Sequence, residues 1–81
     1  MNKKIYNAVK SGQSDNNIKY TDFQLLIVDL GFEFKHQDGS HRFYAHKLYE
    51  IVMNIQPDGN KAKGYQVRQL RYLIKKYNLE G

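Results

Sequence analysis

Cysteine is missing from this chain of 81 residues, which removes disulfides, thiolate metal sites and cysteine nucleophiles together and fits work in a reducing cytosol. Long apolar runs are missing too. No stretch approaches the ~18 apolar residues of a membrane helix, and Lys3 and Lys4 are not followed by the apolar core of a secretion signal. The expectation is a soluble, cytoplasmic protein with no membrane partner. Acidic residues are absent from residues 61–76, where Lys61, Lys63, Arg68, Arg71, Lys75 and Lys76 concentrate the excess that gives the chain its net charge of +5. A one-sided basic stretch is an electrostatic footprint for nucleic acid or another polyanion, with an ordinary solvated face as the plain alternative. Internal repeats, low-complexity segments and linkers are absent as well. A chain of this length is expected to form one small domain with one site, burying roughly 60% of the surface its unfolded form exposes.

What is present is a change of period along the chain. Residues 3–10 carry Ile5 and Val9 four apart with Tyr6 beside them and end at Ser11-Gly12, which predicts a short, weak helix. Residues 13–17 form a polar loop. Thr21-Asp22-Phe23-Gln24 has the form of a capping box, so a second helix is expected to start there. Phe23, Leu26, Ile27 and Leu30 make its single apolar stripe, and Gly31 stands where a left-handed cap is wanted. From residue 32 the period becomes two. Phe32, Phe34 and His36 alternate with Glu33 and Lys35, residues 37–39 supply a turn, and residues 41–45 return with His41, Phe43 and Ala45 on one face and Arg42 and Tyr44 on the other. Ile51, Met53 and Ile55 mark a third strand, closed by Pro57-Asp58-Gly59 around the only proline. Residues 60–64 read as a loop. Val67, Leu70, Ile74 and Tyr77 then recur at helical period, with Arg68, Arg71 and Lys75 on the exposed side of the last helix. The expected class is α+β, a three-stranded antiparallel sheet with helices packed on one face and the other face open.

The chemistry concentrates at Gly39-Ser40-His41, where a tight turn delivers an imidazole onto the first residue of an aromatic-rich strand. A histidine takes or gives a proton near neutral pH, and a Gly-Ser turn lets the backbone pass close to a phosphate. With the basic run downstream, this suggests RNA cleavage. The 2′-hydroxyl of RNA is a nucleophile beside its own phosphate, so a base to remove its proton and cations to stabilise the phosphorane suffice without a metal. His41 is the residue suited to be that base; the plain alternative is a strand-edge histidine bonded to a backbone carbonyl. His36 and His46 permit a weaker reading as an acid–base pair, although His46, beside Lys47 at a strand end, is expected to be exposed. No acidic or thiolate residue has the spacing that a zinc site on these histidines requires, so neither metal nor cofactor is expected. Lys61 and Lys63, just before the last helix and its free amides, form a phosphate clamp that Arg68 and Arg71 extend. Tyr44, Tyr49, Tyr65 and Tyr72 are candidates for stacking on unpaired bases, Tyr65 first, the others being expected mostly to pack.

Several stretches, taken in order, resemble the HicA family of toxins from bacterial and archaeal type II toxin–antitoxin modules. They are Ser14-Asp15-Asn16-Asn17-Ile18, Leu30-Gly31-Phe32, Gly39-Ser40-His41 with Phe43-Tyr44, Asn54-Ile55-Gln56-Pro57-Asp58-Gly59, and Ala62-Lys63 through Tyr65-Gln66-Val67-Arg68-Gln69-Leu70-Arg71. The resemblance covers residues 15–79 as the core of a single domain, 1–81, with residues 1–14 as an N-terminal extension helix. It implies a fold like the double-stranded RNA-binding domain, metal-independent cleavage of mRNA with His41 as catalyst, and neutralisation by a HicB-like antitoxin protein. The residues expected at the RNA are then Gly39, Ser40, Arg42, Lys61, Lys63, Tyr65, Arg68 and Arg71. Two positions depart from the family pattern. Arg42 stands where His or Gln is common and adds charge near the scissile phosphate, and Gly64 stands where Pro is common, which predicts a looser start to the last helix. Two other classes fit the same residues: a non-catalytic module that holds structured RNA, and an interaction domain whose basic helix docks an acidic protein.

Overall fold

The apolar stripe of the second helix organises the molecule. Phe23, Leu26, Ile27 and Leu30 are all buried, and the chain leaves them through Gly31 at φ +103°, a left-handed value that favours glycine. In the computed structural model, which describes residues 1–80, this helix is α2 (Tyr20–Asp29), preceded by α1 (Lys3–Ser11). It is followed by β1 (Phe32–Asp38), β2 (His41–His46), β3 (Val52–Ile55), β4 (Pro57–Asp58), β5 (Lys61–Ala62) and α3 (Gly64–Tyr77). Strands β1, β2 and β3 form an antiparallel sheet in that order, while β4 and β5 pair as a separate small hairpin. Phe32, Tyr44, Met53 and Ile55 are buried on one face of the larger sheet and share a core with α2 and with Val67, Leu70, Leu73 and Ile74 of α3. The other face carries Glu33, His36, His41, Val52 and Asn54, all exposed. Among the described residues no helix is long and apolar enough to cross a membrane.

The structure departs from the sequence expectations at five places. Thr21 does not cap α2. The helix begins at Tyr20 with Lys19 as N-cap and no side-chain cap bond, because the Tyr20 amide donates to the Asn60 carbonyl at 2.9 Å. That carbonyl is brought there by β4 and β5, in the stretch expected to be a plain loop. Pro57 pairs with Ala62 and Asp58 with Lys61, and the Ala62 amide donates to the Ile18 carbonyl at 2.8 Å.

Strand β1 breaks its alternation. Phe34 pairs with Tyr44 but His36 pairs with Phe43, so Lys35 is an extra residue and the strand bulges. Phe32, Phe34 and His36 therefore do not share a face; His36 is turned to the open side. Phe34 stays on the core side at the end of the sheet, 46% exposed, with the Arg42 guanidinium 4.1 Å from its ring centre.

Arg71 is not on an exposed basic face. Its guanidinium is bidentate to Asp15 at 2.9 and 3.1 Å and donates to the Val9 carbonyl at 3.0 Å. The hydrogen bond to Asp15 holds its pKa above the ordinary arginine value. This clamp, with the Tyr6 hydroxyl donating to the Leu79 carbonyl at 2.9 Å, fastens α1 to α3 and buries Tyr6 and Val9 in the common core. A short helix of weak intrinsic tendency is thus held by packing.

The start of α3 is likewise filled. The Asn16 side chain lies directly against Gly64, leaving no room for a Cβ. A proline there has no space, so the glycine serves a contact.

Candidate functional site

The site begins with a two-residue hairpin loop. Asp38 pairs with His41, so Gly39 and Ser40 alone connect β1 to β2, with Gly39 at φ +60° in the first central position, as a type II′ turn requires. No atom lies within 4 Å of where a Gly39 Cβ would stand, so the loop is open to an approaching ligand. This turn sets His41 at the head of β2 with its side chain on the helix-free face.

There the His41 Nδ1 lies 3.1 Å from the Asn54 Oδ1, a bond between exposed side chains of β2 and β3. An amide oxygen only accepts, so the Nδ1–H donates, and in the neutral ring the lone pair is then on Nε2. The partner is therefore a side-chain amide and not the backbone carbonyl of the plain reading. Asn54 is held in turn from α3. Gln66, 3% exposed, donates from Nε2 to the Asn54 carbonyl at 3.1 Å and accepts the Gln56 amide on Oε1 at 3.1 Å. The site thus joins the end of β3 to the first turn of α3.

Neither Asn54 nor Gln66 stood out as a site residue in the sequence. Their signals were faint: an asparagine inside an apolar-alternating strand, where that residue is disfavoured, and a glutamine beside Val67 on a buried stripe.

The three histidines part company. His36 stacks on Phe43 with ring centres 4.3 Å apart and planes within 8°, on the same face as His41. His46 is buried, contrary to the expectation of exposure. Its Nε2–H donates to the Leu30 carbonyl at 2.9 Å, its Nδ1 accepts from the Leu48 amide at 3.1 Å, and its ring meets Phe32 edge-on at 5.0 Å. It is a packing and turn-closing residue on the far face of the sheet from His41, so no His41–His46 pair exists. Among the described residues no three histidine or carboxylate side chains group as metal ligands.

The basic residues are distributed rather than gathered. Arg42 points to the core side, away from His41, where it donates to the Tyr44 hydroxyl at 3.2 Å and to the Gln37 Oε1 at 2.9 Å. Its expected place beside a phosphate at His41 is thereby taken away, as it is for Arg71 by Asp15. Lys61 donates to the Asn17 Oδ1 at 2.9 Å. Lys63 is the N-cap of α3 without a side-chain cap bond, and Arg68 is exposed one turn further on. Tyr65 is 55% exposed beside Gln66, whereas Tyr44 is buried and Tyr49 leans on Tyr77 at 4.9 Å.

Comparison with protein-family models, characterised proteins and solved structures finds no match. The site is therefore read from its geometry: a proton acceptor with a fixed tautomer, an aromatic pair beside it on an open sheet face, and an uncapped helix start with Lys63 and Arg68 reached through Asn54 and Gln66. That arrangement can take up or release a proton at an exposed nitrogen.

Proposed function

We propose that this chain is a metal-independent endoribonuclease that cuts mRNA and acts as a toxin of the HicA kind, held in check by a HicB-like antitoxin protein. The observation that carries the reading is the His41–Asn54 pair, which presents an imidazole Nε2 with a free lone pair at the edge of an open face. In the reaction the Nε2 takes the proton of an RNA 2′-hydroxyl, and the 2′-oxygen forms a bond to the adjacent phosphorus. The P–O5′ bond breaks, the departing 5′-oxygen takes a proton from solvent, and a 2′,3′-cyclic phosphate and a 5′-hydroxyl remain. Asn54 keeps Nδ1 protonated so that Nε2 is the basic nitrogen, and the imidazolium returns its proton to solvent. Lys63 and Arg68 at the start of α3 supply positive charge for the phosphate path, with Gly39 and Ser40 leaving the approach clear. Lys61 and Tyr65 flank that path.

The placing of α2 and α3 against one face of a three-stranded antiparallel sheet also favours an architecture like the double-stranded RNA-binding domain. The test is incubation of purified protein with a defined mRNA in EDTA, followed by end analysis. Cyclic or 3′-phosphate ends and resistance of DNA are expected, because DNA lacks the attacking hydroxyl. Products with 3′-hydroxyl ends, or cleavage abolished by EDTA and restored by Mg²⁺, would overturn the mechanism.

A further inference from the structure

The bulge at Lys35 moves His36 from the face of Phe32 and Phe34 to the face of His41. A regular strand would have left that ring on the core side. Once turned, it lies flat on Phe43, 4.3 Å away and within 8° of parallel, with its outer surface in solvent, since His36 is exposed and Phe43 half-buried beneath it. Phe43 is in turn the cross-strand neighbour of Asn54, the residue that orients His41. His36 and His41 are diagonal on the ladder, a separation of about 7–8 Å. This is the reach of one nucleotide from the phosphate it carries.

We infer that His36 and Phe43 form a stacking subsite for a single unpaired nucleobase, placed so that the phosphate beside that nucleotide lies at His41. Every base has a flat π-face, and stacking one on an aromatic side chain strengthens binding without regard to sequence. A base inside a duplex offers no free face to such a ladder, so the substrate is single-stranded RNA. The position of the phosphate rests on the ribonuclease reading; the stacking itself is measured without cleavage. The competing role for His36 is proton transfer to the leaving oxygen, and one substitution separates the two, because phenylalanine keeps the flat ring and loses the titrating nitrogen.

The experiment uses the full chain carrying His41→Ala, so that RNA stays whole, and a short single-stranded RNA containing 2-aminopurine, whose fluorescence falls on stacking. Quenching and affinity should survive a further His36→Phe change. His36→Ala should abolish the quenching and weaken binding about tenfold to a hundredfold, while melting at the temperature of its parent, since the side chain is exposed. The same strand annealed to its complement should show no quenching. Undiminished quenching and affinity in His36→Ala overturns the subsite, as does equal quenching by the duplex. With His41 restored, loss of quenching and affinity in His36→Phe, which keeps the flat ring, also overturns it, whereas a His36→Phe protein that binds and quenches as before supports the subsite, and its cleavage rate then shows whether His36 donates a proton as well. If the unsubstituted chain quenches as expected but cuts no RNA, the subsite stands and the ribonuclease reading falls.

Discussion

Replacing His41 by alanine should lower RNA cleavage by about 10²- to 10⁴-fold, the range for loss of a general base or acid, with the thermal melt unchanged because the side chain is exposed. Full cleavage by a folded His41→Ala protein, free of host ribonuclease, would refute the assignment. Asn54 permits a finer test. Asn54→Ala leaves the imidazole in place but frees its tautomer, so kcat should fall by less than the roughly 10²–10⁴ of removing the base, KM should hold, and the pH–rate profile should move. A change in KM alone, with kcat and profile intact, would make Asn54 merely a surface neighbour. His41 was legible in the sequence because its turn is local. Asn54 was not, since its bond to His41 spans 13 residues and exists only in the register that pairs Phe43 with Asn54. His46 misled for a related reason: the groups that satisfy its ring are backbone atoms of Leu30 and Leu48, which no side-chain pattern announces.

Helix α3 carries two arginines three residues apart that look alike in the sequence and should behave oppositely. Arg71→Ala leaves Asp15 and the Val9 carbonyl without their donor, so a loss of about 2 kcal/mol, roughly 10 °C in Tm for a domain of this size, is expected. Arg68→Ala should leave the melt unchanged. It should instead weaken RNA binding and flatten the slope of log K against log salt by about 0.7 for single-stranded RNA, one phosphate contact. An unaltered slope would remove Arg68 from the phosphate path. The apolar stripes of α2 and α3 could be read directly, because burial of Leu26 or Leu70 follows from helical period alone. The capping box at Thr21 could not be trusted: a hydroxyl cap is a local substitute for a backbone partner, and here Asn60 supplies the partner itself. The bulge at Lys35 was equally hidden, since one inserted residue alters facing without altering composition.

For the molecule as a whole, the pH response should bend at the alkaline end. The Tyr20 hydroxyl is buried without a hydrogen-bond partner among the described residues. Its pKa lies above the ordinary 10.0, raised by burial and by Tyr44 and partly offset by Arg42. Its contribution to stability is therefore complete below pH 10 and is lost as pH rises through the raised folded value, because there the unfolded chain ionises first. Urea titrations on either side of that range should show the loss in the unsubstituted chain and less of it in Tyr20→Phe, which removes no hydrogen bond. An identical alkaline loss in both would place its cause elsewhere. The small β4–β5 hairpin governs a different property. By bonding Ile18 to Ala62 and Tyr20 to Asn60, it closes residues 18–62 into a ring that contains α2 and the entire three-stranded sheet. The clasp opens only if the two ends of that ring separate, so the amide protons of Tyr20 and Ala62 should be protected from deuterium exchange by the same factor, and a single protease cut between Lys47 and Glu50 should leave two fragments that still travel as one particle.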